Sequence, residues 1–315
     1  MATLVEAEEI VATRAVIDPV FLDSPLMIHP ALDAMLGCSV TLKVESLNPI
    51  RSFKGRGTEA VLAALAPPPP AVITASSGNF GQGIAWAARR RGIAATVFSP
   101  SDANPLKVKA MRGLGAVVHL VDAGADEADV AREAAERTGA PFIEDGAHRE
   151  IAAGAGTMAQ EMTMAGLNPD VVLVQIGDGA LVTGVGSWLK ANSPATRVVG
   201  VTARNAPAMA DSVAAGTPVE RPAETIADGL SITKPVAGAL EQVSIAVDEI
   251  LSVDEDTMIS AMRILIETTG ILAEPSGAAG IAALMEHRAR FQGAAVVSVI
   301  TGSNVDPSLL GSAIL

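Results

Sequence analysis

The chain has 315 residues, 49% of them hydrophobic and 18% charged, which describes a folded, core-rich protein rather than a disordered one. Aromatic residues make up 3% and tyrosine is absent, so stacking platforms for nucleic-acid bases are nearly lacking. A net charge of −13 repels phosphate backbones and anionic lipid, and the one cysteine, Cys38, excludes an intrachain disulfide or a cysteine-cluster metal site.

The N-terminal stretch carries Glu6, Glu8 and Glu9 where a signal peptide would be basic, and it reads as a surface helix. No apolar run approaches the ~20 residues that span a bilayer. These features predict an unexported protein of the reducing cytoplasm. Short β-branched runs then recur at 71–76, 94–100, 116–121, 171–177, 197–203 and 294–302, and read as buried strands. Segments 125–139, 155–166, 181–190 and 254–270 have helical spacing, and several end at glycine. Alternation of this kind predicts an α/β fold with parallel sheets wrapped by helices. The proline run 67–70 and Gly146 punctuate the chain. They suggest two lobes: a large one from 1–50 plus 151–315, and a small, mobile one from 51–150.

Four stretches carry candidate chemistry. The first is "SFKGRG", with Lys54 among only six lysines against sixteen arginines. A lysine can lose its proton when desolvated and attack a carbonyl. Taken alone, Lys54 reads more readily as a solvated lysine near a turn, with Arg51 and Arg56 as company. The second is "TASSGNFGQG" (74–83), where a strand feeds a helix through small polar residues. Backbone N–H groups at such a helix start suit a carboxylate, although a serine N-cap explains part of the string. The third is "GDGAL" (177–181), a tight turn that closes on a phosphate at a helix N-terminus. It is neither a dinucleotide fingerprint, since Val182 occupies the last glycine position, nor a Walker A loop. Asp178 is awkward beside a phosphate unless its carboxylate points away. The fourth is "VVSVITGSNVD" (296–306), a buried strand ending at Thr301.

In this order and spacing, the four stretches resemble the fold-type II enzymes that use pyridoxal 5′-phosphate, specifically the serine/threonine dehydratase (ammonia-lyase) and serine racemase group. Supporting matches are "DSPL", "LKVESLNP", "ETIADGL" and "AEPSGAAG", so the resemblance runs from about Asp23 to Asp306. It implies a two-lobed, tryptophan synthase β-like architecture with the cofactor between open parallel-sheet domains. Lys54 then forms the Schiff base and acts as base at the substrate Cα, with Phe53 packed near the cofactor ring. Asn79 bonds the 3′-oxygen, and Gly177, Asp178, Gly179, Ala180 and Leu181 bind the phosphate. Thr301 faces the pyridine nitrogen, and Glu274 lies near the cofactor. Ser76, Ser77 and Asn79 hold the substrate carboxylate, and Ser77 sits where the racemase places its second acid/base.

Several positions depart from the pattern. Phe80 stands where many dehydratases have histidine, which puts the substrate side-chain pocket in doubt. Asp178 and Ala180 interrupt a usually glycine-richer phosphate loop. Thr202 stands where the racemase-like subgroup has a metal-binding glutamate, so no divalent metal is expected. Arg51 replaces a glycine and either contacts an acidic substrate or faces solvent. The chain has no room for the C-terminal regulatory domain of biosynthetic threonine deaminases, so control by isoleucine is not expected. The resemblance implies elimination of water from L-threonine or L-serine to give a 2-oxo acid and ammonia. Rival expectations are a lyase for another β-substituted amino acid (a 3-hydroxyaspartate, phenylserine or a diamino acid), an amino-acid racemase, and a silent cofactor-binding protein. A homodimer is a family-level expectation; nucleic acid and membrane are not expected partners.

Overall fold

The structure is a computed structural model that describes residues 3–122, 124–236 and 238–314. Among the described residues, nine strands form two sheets: β1 (Leu26–Ile28), β2 (Ser39–Val44), β3 (Ala71–Ala75), β4 (Ala94–Pro100), β5 (Val117–Val121), β6 (Val171–Gln175), β7 (Arg197–Ala203), β8 (Glu249–Val253) and β9 (Ala295–Ile300). The six-stranded sheet has the order β1-β2-β9-β6-β7-β8, parallel except for β1; the three-stranded sheet β3-β4-β5 is wholly parallel. All six strands expected from the sequence are present, and the α/β fold holds. So are the four helical segments, as Glu127–Thr138, Arg149–Met164, Ala180–Asn192 and Glu255–Thr269.

Both sheets are covered on both faces, as parallel sheets must be. In β6, Val171 and Leu173 join one core with helix Pro275–Glu286, while Val172 and Val174 join another with helices Arg149–Met164 and Ala180–Asn192. The period of two explains why its central run reads as continuously apolar. In the smaller sheet, Val72, Ala95 and Val97 pack on helix Asn79–Arg91, and Ile73 packs on Ala131 and Ala134 of Glu127–Thr138. The N-terminal helix Ala7–Arg14 is not purely a surface element. Its Ile10 is fully buried, against Gly156 of Arg149–Met164. Among the described residues, no helix is long and apolar enough to cross a membrane.

Three strands escaped the sequence pattern, and so did the helix that begins at Lys54, along with several others. β1 is only three residues long, β8 lies at a sheet edge, and β2 hides a buried Lys43. The helix is Lys54–Ala64, whose Gly55 and Gly57 are poor helix formers. Packing requires them: a Cβ on Gly57 would lie 2.7 Å from Ile151 Cγ2 and 2.9 Å from Ile151 O.

This helix is anchored by charge. Arg56 is 0% exposed. Its guanidinium donates to both oxygens of Glu45 at 2.8 and 2.9 Å, and to both oxygens of Glu161 at 2.7 and 2.9 Å. It also reaches Thr157 Oγ1 at 2.9 Å. Lys43 Nζ adds a contact of 2.5 Å to Glu161 Oε2 and donates to Ser24 O at 2.8 Å. Burial alone would raise the Glu161 pKa, but Arg56 and Lys43 outweigh it and hold the carboxyl at about 2, below its ordinary 4.5.

Removing one partner of such a network leaves buried charge uncompensated. Arg56→Ala is therefore expected to lower the unfolding free energy by about 3–5 kcal/mol, measured by urea titration. The depressed Glu161 pKa gives a second expectation. Its stabilisation is fully present above pH 4.5 and is lost as pH falls toward 2. Urea titrations across that window should show a smaller acid loss in Glu161→Gln than in the parent; equal losses would refute the linkage.

Candidate active site

Parallel strands release loops at their carboxyl ends, and three such ends meet in one cavity. β3 feeds Ser76–Asn79, β6 feeds Gly177–Leu181, and β9 feeds Thr301. Lys54 enters as the first residue of its helix, held because the Phe53 N–H donates to Thr301 O at 3.0 Å. Upstream, Asn48 Nδ2 donates to Glu45 O at 2.8 Å and to Ser52 O at 3.0 Å, which fixes the turn before the lysine.

The residues to which the resemblance gives a role at the cofactor or substrate all line this cavity: Phe53, Lys54, Ser76, Ser77, Asn79, Gly177, Asp178, Gly179, Ala180, Leu181, Glu274 and Thr301. Their partners differ. Ser76 Oγ accepts the N–H groups of Gly78 and Gly81 at 3.1 and 2.9 Å, so it shapes its own loop. Asn79 Nδ2 donates to Glu274 Oε1 at 2.6 Å, and Asn79 Oδ1 accepts from Asn304 at 2.8 Å. Burial pushes the Glu274 carboxyl up, against the opposing pull of Lys107 and the Asn79 hydrogen bond.

The glycine loop suits an anion. Gly179 is the N-cap of Ala180–Asn192 at φ +100°, with no side chain capping the helix. A Cβ there would lie 2.7 Å from Val243 Cγ2, and one on Gly177 would lie 2.3 Å from Gly229 O. The loop is thus pressed against protein behind it, and the first helical N–H groups are left without intrahelical partners. Asp178 lies against Gly146. Its carboxyl is pushed up to about 7 by desolvation and by the charge of Asp145, so near neutrality it carries a proton much of the time. That softens the conflict between an aspartate and a phosphate. A reactive lysine, an uncapped helix start and a hydroxyl at the end of β9, all in one cavity, fit the donor set that pyridoxal 5′-phosphate requires.

A family profile described as pyridoxal-phosphate dependent enzyme matches residues 17–302. The chain belongs to this family. It is 33% identical over 311 residues to the L-threonine ammonia-lyase of Thermotoga maritima, covering 98% of this chain and 77% of that one. It is 36% identical over 280 residues to the L-threonine ammonia-lyase of Geobacter sulfurreducens, covering 86% and 68%. Among solved structures, maize serine racemase superposes with a TM-score of 0.92 at 30% identity, covering 98% and 96%. A threonine deaminase from T.th. superposes with a TM-score of 0.88 at 34% identity, covering 96% and 99%. The two-lobed fold-type II architecture and the pyridoxal-phosphate cofactor inferred from the sequence therefore stand.

For this pyridoxal-phosphate-dependent enzyme, the structure also brings in residues that sequence reasoning missed. Asp145 accepts a hydrogen bond from Lys54 Nζ through Oδ2. In the sequence it stands just before Gly146, and only the glycine read as punctuation. Lys107 is 6% exposed, donates to Asp228 Oδ2 at 2.6 Å and lies 3.9 Å from Glu274 Oε2. Phe80 is buried, with its ring 5.7 Å from Lys54 Nζ. Thr202, at the metal-ligand position of the racemase subgroup, shares a 3.0 Å hydrogen bond with Ser252 Oγ.

Arg51 lies outside the cavity lining and is exposed, at φ +53°. This is why the family pattern favours glycine there: a left-handed backbone costs an L-residue roughly 1–2 kcal/mol. Glycine costs roughly 0.5–1 kcal/mol in unfolded-chain entropy. Arg51→Gly is therefore expected to hold stability level or raise it by up to about 1 kcal/mol. A thermal melt that drops markedly would contradict a strained Arg51.

Proposed function

We propose that the protein is an ammonia-lyase that removes a β-substituent from an α-amino acid, with L-threonine and L-serine as the first substrates to try. The observation that carries this is the convergence of Lys54, the serine-rich loop and the uncapped glycine loop on one cavity. The names of the relatives agree with it.

In this reading Lys54 holds the cofactor covalently, with Phe53 beside it. The backbone N–H groups of Gly177 to Leu181 hold the phosphate, Asn79 the 3′-oxygen and Thr301 the ring nitrogen. Glu274 orients Asn79 through their hydrogen bond. Bound pyridoxal phosphate makes the Cα proton of an attached amino acid acidic by drawing electron density into its ring. Ser76, Ser77 and Asn79 hold the substrate carboxylate at the N-terminus of Asn79–Arg91, where the helix dipole favours an anion. Lys54, once free of the cofactor, takes the Cα proton. Ser77 supplies a second proton-handling hydroxyl, which supports a racemase as the runner-up. Residues 51–150, with their separate sheet, act as a small lobe moving against 1–50 and 151–315, and the enzyme works as a homodimer in the cytoplasm.

The test is an absorbance spectrum of the purified protein with pyridoxal phosphate, followed by L-threonine and an assay of 2-oxo acid. A near-ultraviolet or visible cofactor band and oxo-acid formation are expected. Lys54→Ala should remove the band and cut turnover by at least about 100-fold. A parent protein with no band even after added cofactor would sink the assignment.

A further inference from the structure

Lys107 is the second ammonium in the cavity wall, and it is buried. A lysine taken out of water needs a counter-charge to hold it there. It belongs to helix Pro105–Gly113, whose Val108 and Met111 join the core of the three-stranded sheet. Its partners come from the other side, on segments whose Ala227, Leu230 and Ala273 join the core of the six-stranded sheet. Lys107 Nζ donates to Asp228 Oδ2 at 2.6 Å and lies 3.9 Å from Glu274 Oε2. That Glu274 oxygen is buried without a hydrogen-bond partner, while Oε1 of the same carboxyl accepts from Asn79. One ammonium therefore faces two carboxylates across the junction of the two sheets.

The stem of Lys107 is placed as closely as its head. A Cβ on Gly78 would lie 2.4 Å from Lys107 Cδ and 3.3 Å from Cε. The methylenes thus lie across Gly78, between Ser77 and Asn79, and the ammonium fastens this clamp to Asp228. The next residue, Gly229, donates its N–H to Ser276 Oγ at 3.0 Å, and its carbonyl oxygen lies 2.3 Å from where a Gly177 Cβ would stand. Contacts therefore run unbroken from the loop after β3, through Lys107 and Asp228, to the loop after β6.

We propose that Lys107 and Asp228 are positioning residues for the substrate: their ion pair fixes the Ser76–Asn79 loop at the separation from Gly177–Leu181 that an amino acid at the cofactor requires. This rests on the reading above that the Ser76–Asn79 loop holds the substrate carboxylate. Neither side chain handles a proton of the reaction; each acts through the backbone N–H groups of the loop. Without the pair the loop is no longer preset, and a carboxylate must order it on binding. Ser276 still holds Gly229 against the phosphate loop, so cofactor binding is spared.

The test is a double-mutant cycle in the holoenzyme, with dissociation constants read from changes in the cofactor band. The probes are L-alanine, which has no β leaving group, and ethylamine, the same molecule without its carboxylate. Lys107→Met and Asp228→Asn should each keep the band and weaken L-alanine roughly tenfold, a loss within the range for coupled charge pairs. The double variant should weaken it no further, and ethylamine should change less than about threefold throughout. Additive losses, equal losses for both probes, or a band missing from both folded single variants overturns the proposal.

Circular dichroism checks folding. If Lys107→Met does not fold, Asp228 carries the test alone, because its side chain is 51% exposed and has room to change. Asp228→Asn should then weaken L-alanine selectively, and Asp228→Glu, which keeps the charge, should stay within about threefold of the parent. Equal binding by these two variants overturns the pair. Because L-alanine binding needs no elimination, the outcome stands apart from the lyase reading. A parent that forms no 2-oxo acid from L-serine or L-threonine sinks that reading, and the cycle on L-alanine still decides the role of Lys107 and Asp228.

Discussion

The placement of Lys54 depends on a guanidinium two residues away. Arg56 is sequestered from solvent and grips two carboxylates, Glu45 and Glu161, each with both oxygens. Glu45 follows β2, while Glu161 and Thr157 belong to helix Arg149–Met164. One planar fork therefore sets the position of the lysine's helix against both. An apolar side chain could fill the same space, but it would not impose direction. The fork geometry of arginine does, which is why lysine would be a poor replacement. Such a network adds little net stability over an apolar core, so its value here is geometric: it fixes an otherwise poor helix-forming sequence at one angle.

The cavity beyond that anchor works through backbone dipoles more than through cations. In the proposed reading, an anionic phosphate meets N–H groups at the start of Ala180–Asn192, and a carboxylate meets N–H groups at the start of Asn79–Arg91. The start of Ala180–Asn192 has no side-chain cap, and in the first turn of Asn79–Arg91 Ser76 Oγ takes the Gly81 N–H and leaves those of Asn79 and Phe80 for a ligand. Cationic side chains are scarce and already engaged, Lys54 with Asp145 and Lys107 with Asp228. The proposed site thus takes negative groups at two fixed points, in a cavity otherwise rich in carboxylates. Charge in this cavity is thus sorted by position.

Much of this was legible in the chain itself. Central strands such as β6 and β9 are buried on both faces, so they announce themselves as apolar runs, and the loops that follow them carry the site motifs. Ser76 shows the limit of that reading. Its type and place suggest a substrate contact, while its Oγ also closes the loop by accepting two N–H groups. Asp145, Lys107 and Asp228 gave no such signal. Each is an ordinary charged residue in its own segment, and its importance comes from partners 91 and 121 positions away. Helix Lys54–Ala64 was hidden for a related reason. Its glycines contradict local helix propensity, and close approaches to Phe21 at Gly55 and to Ile151 at Gly57 demand them.

The sequence by itself determined the α/β class, through the periodicity of its apolar residues, and pointed to the cofactor through the resemblance of its loops to a known family. The tertiary structure alone decided which charges neutralise one another. It put Arg56 between two glutamates, Lys54 on Asp145 and Arg51 outside the cavity at a left-handed turn. Electrostatic interaction depends on distance and burial, and neither is encoded in the order of residues along the chain.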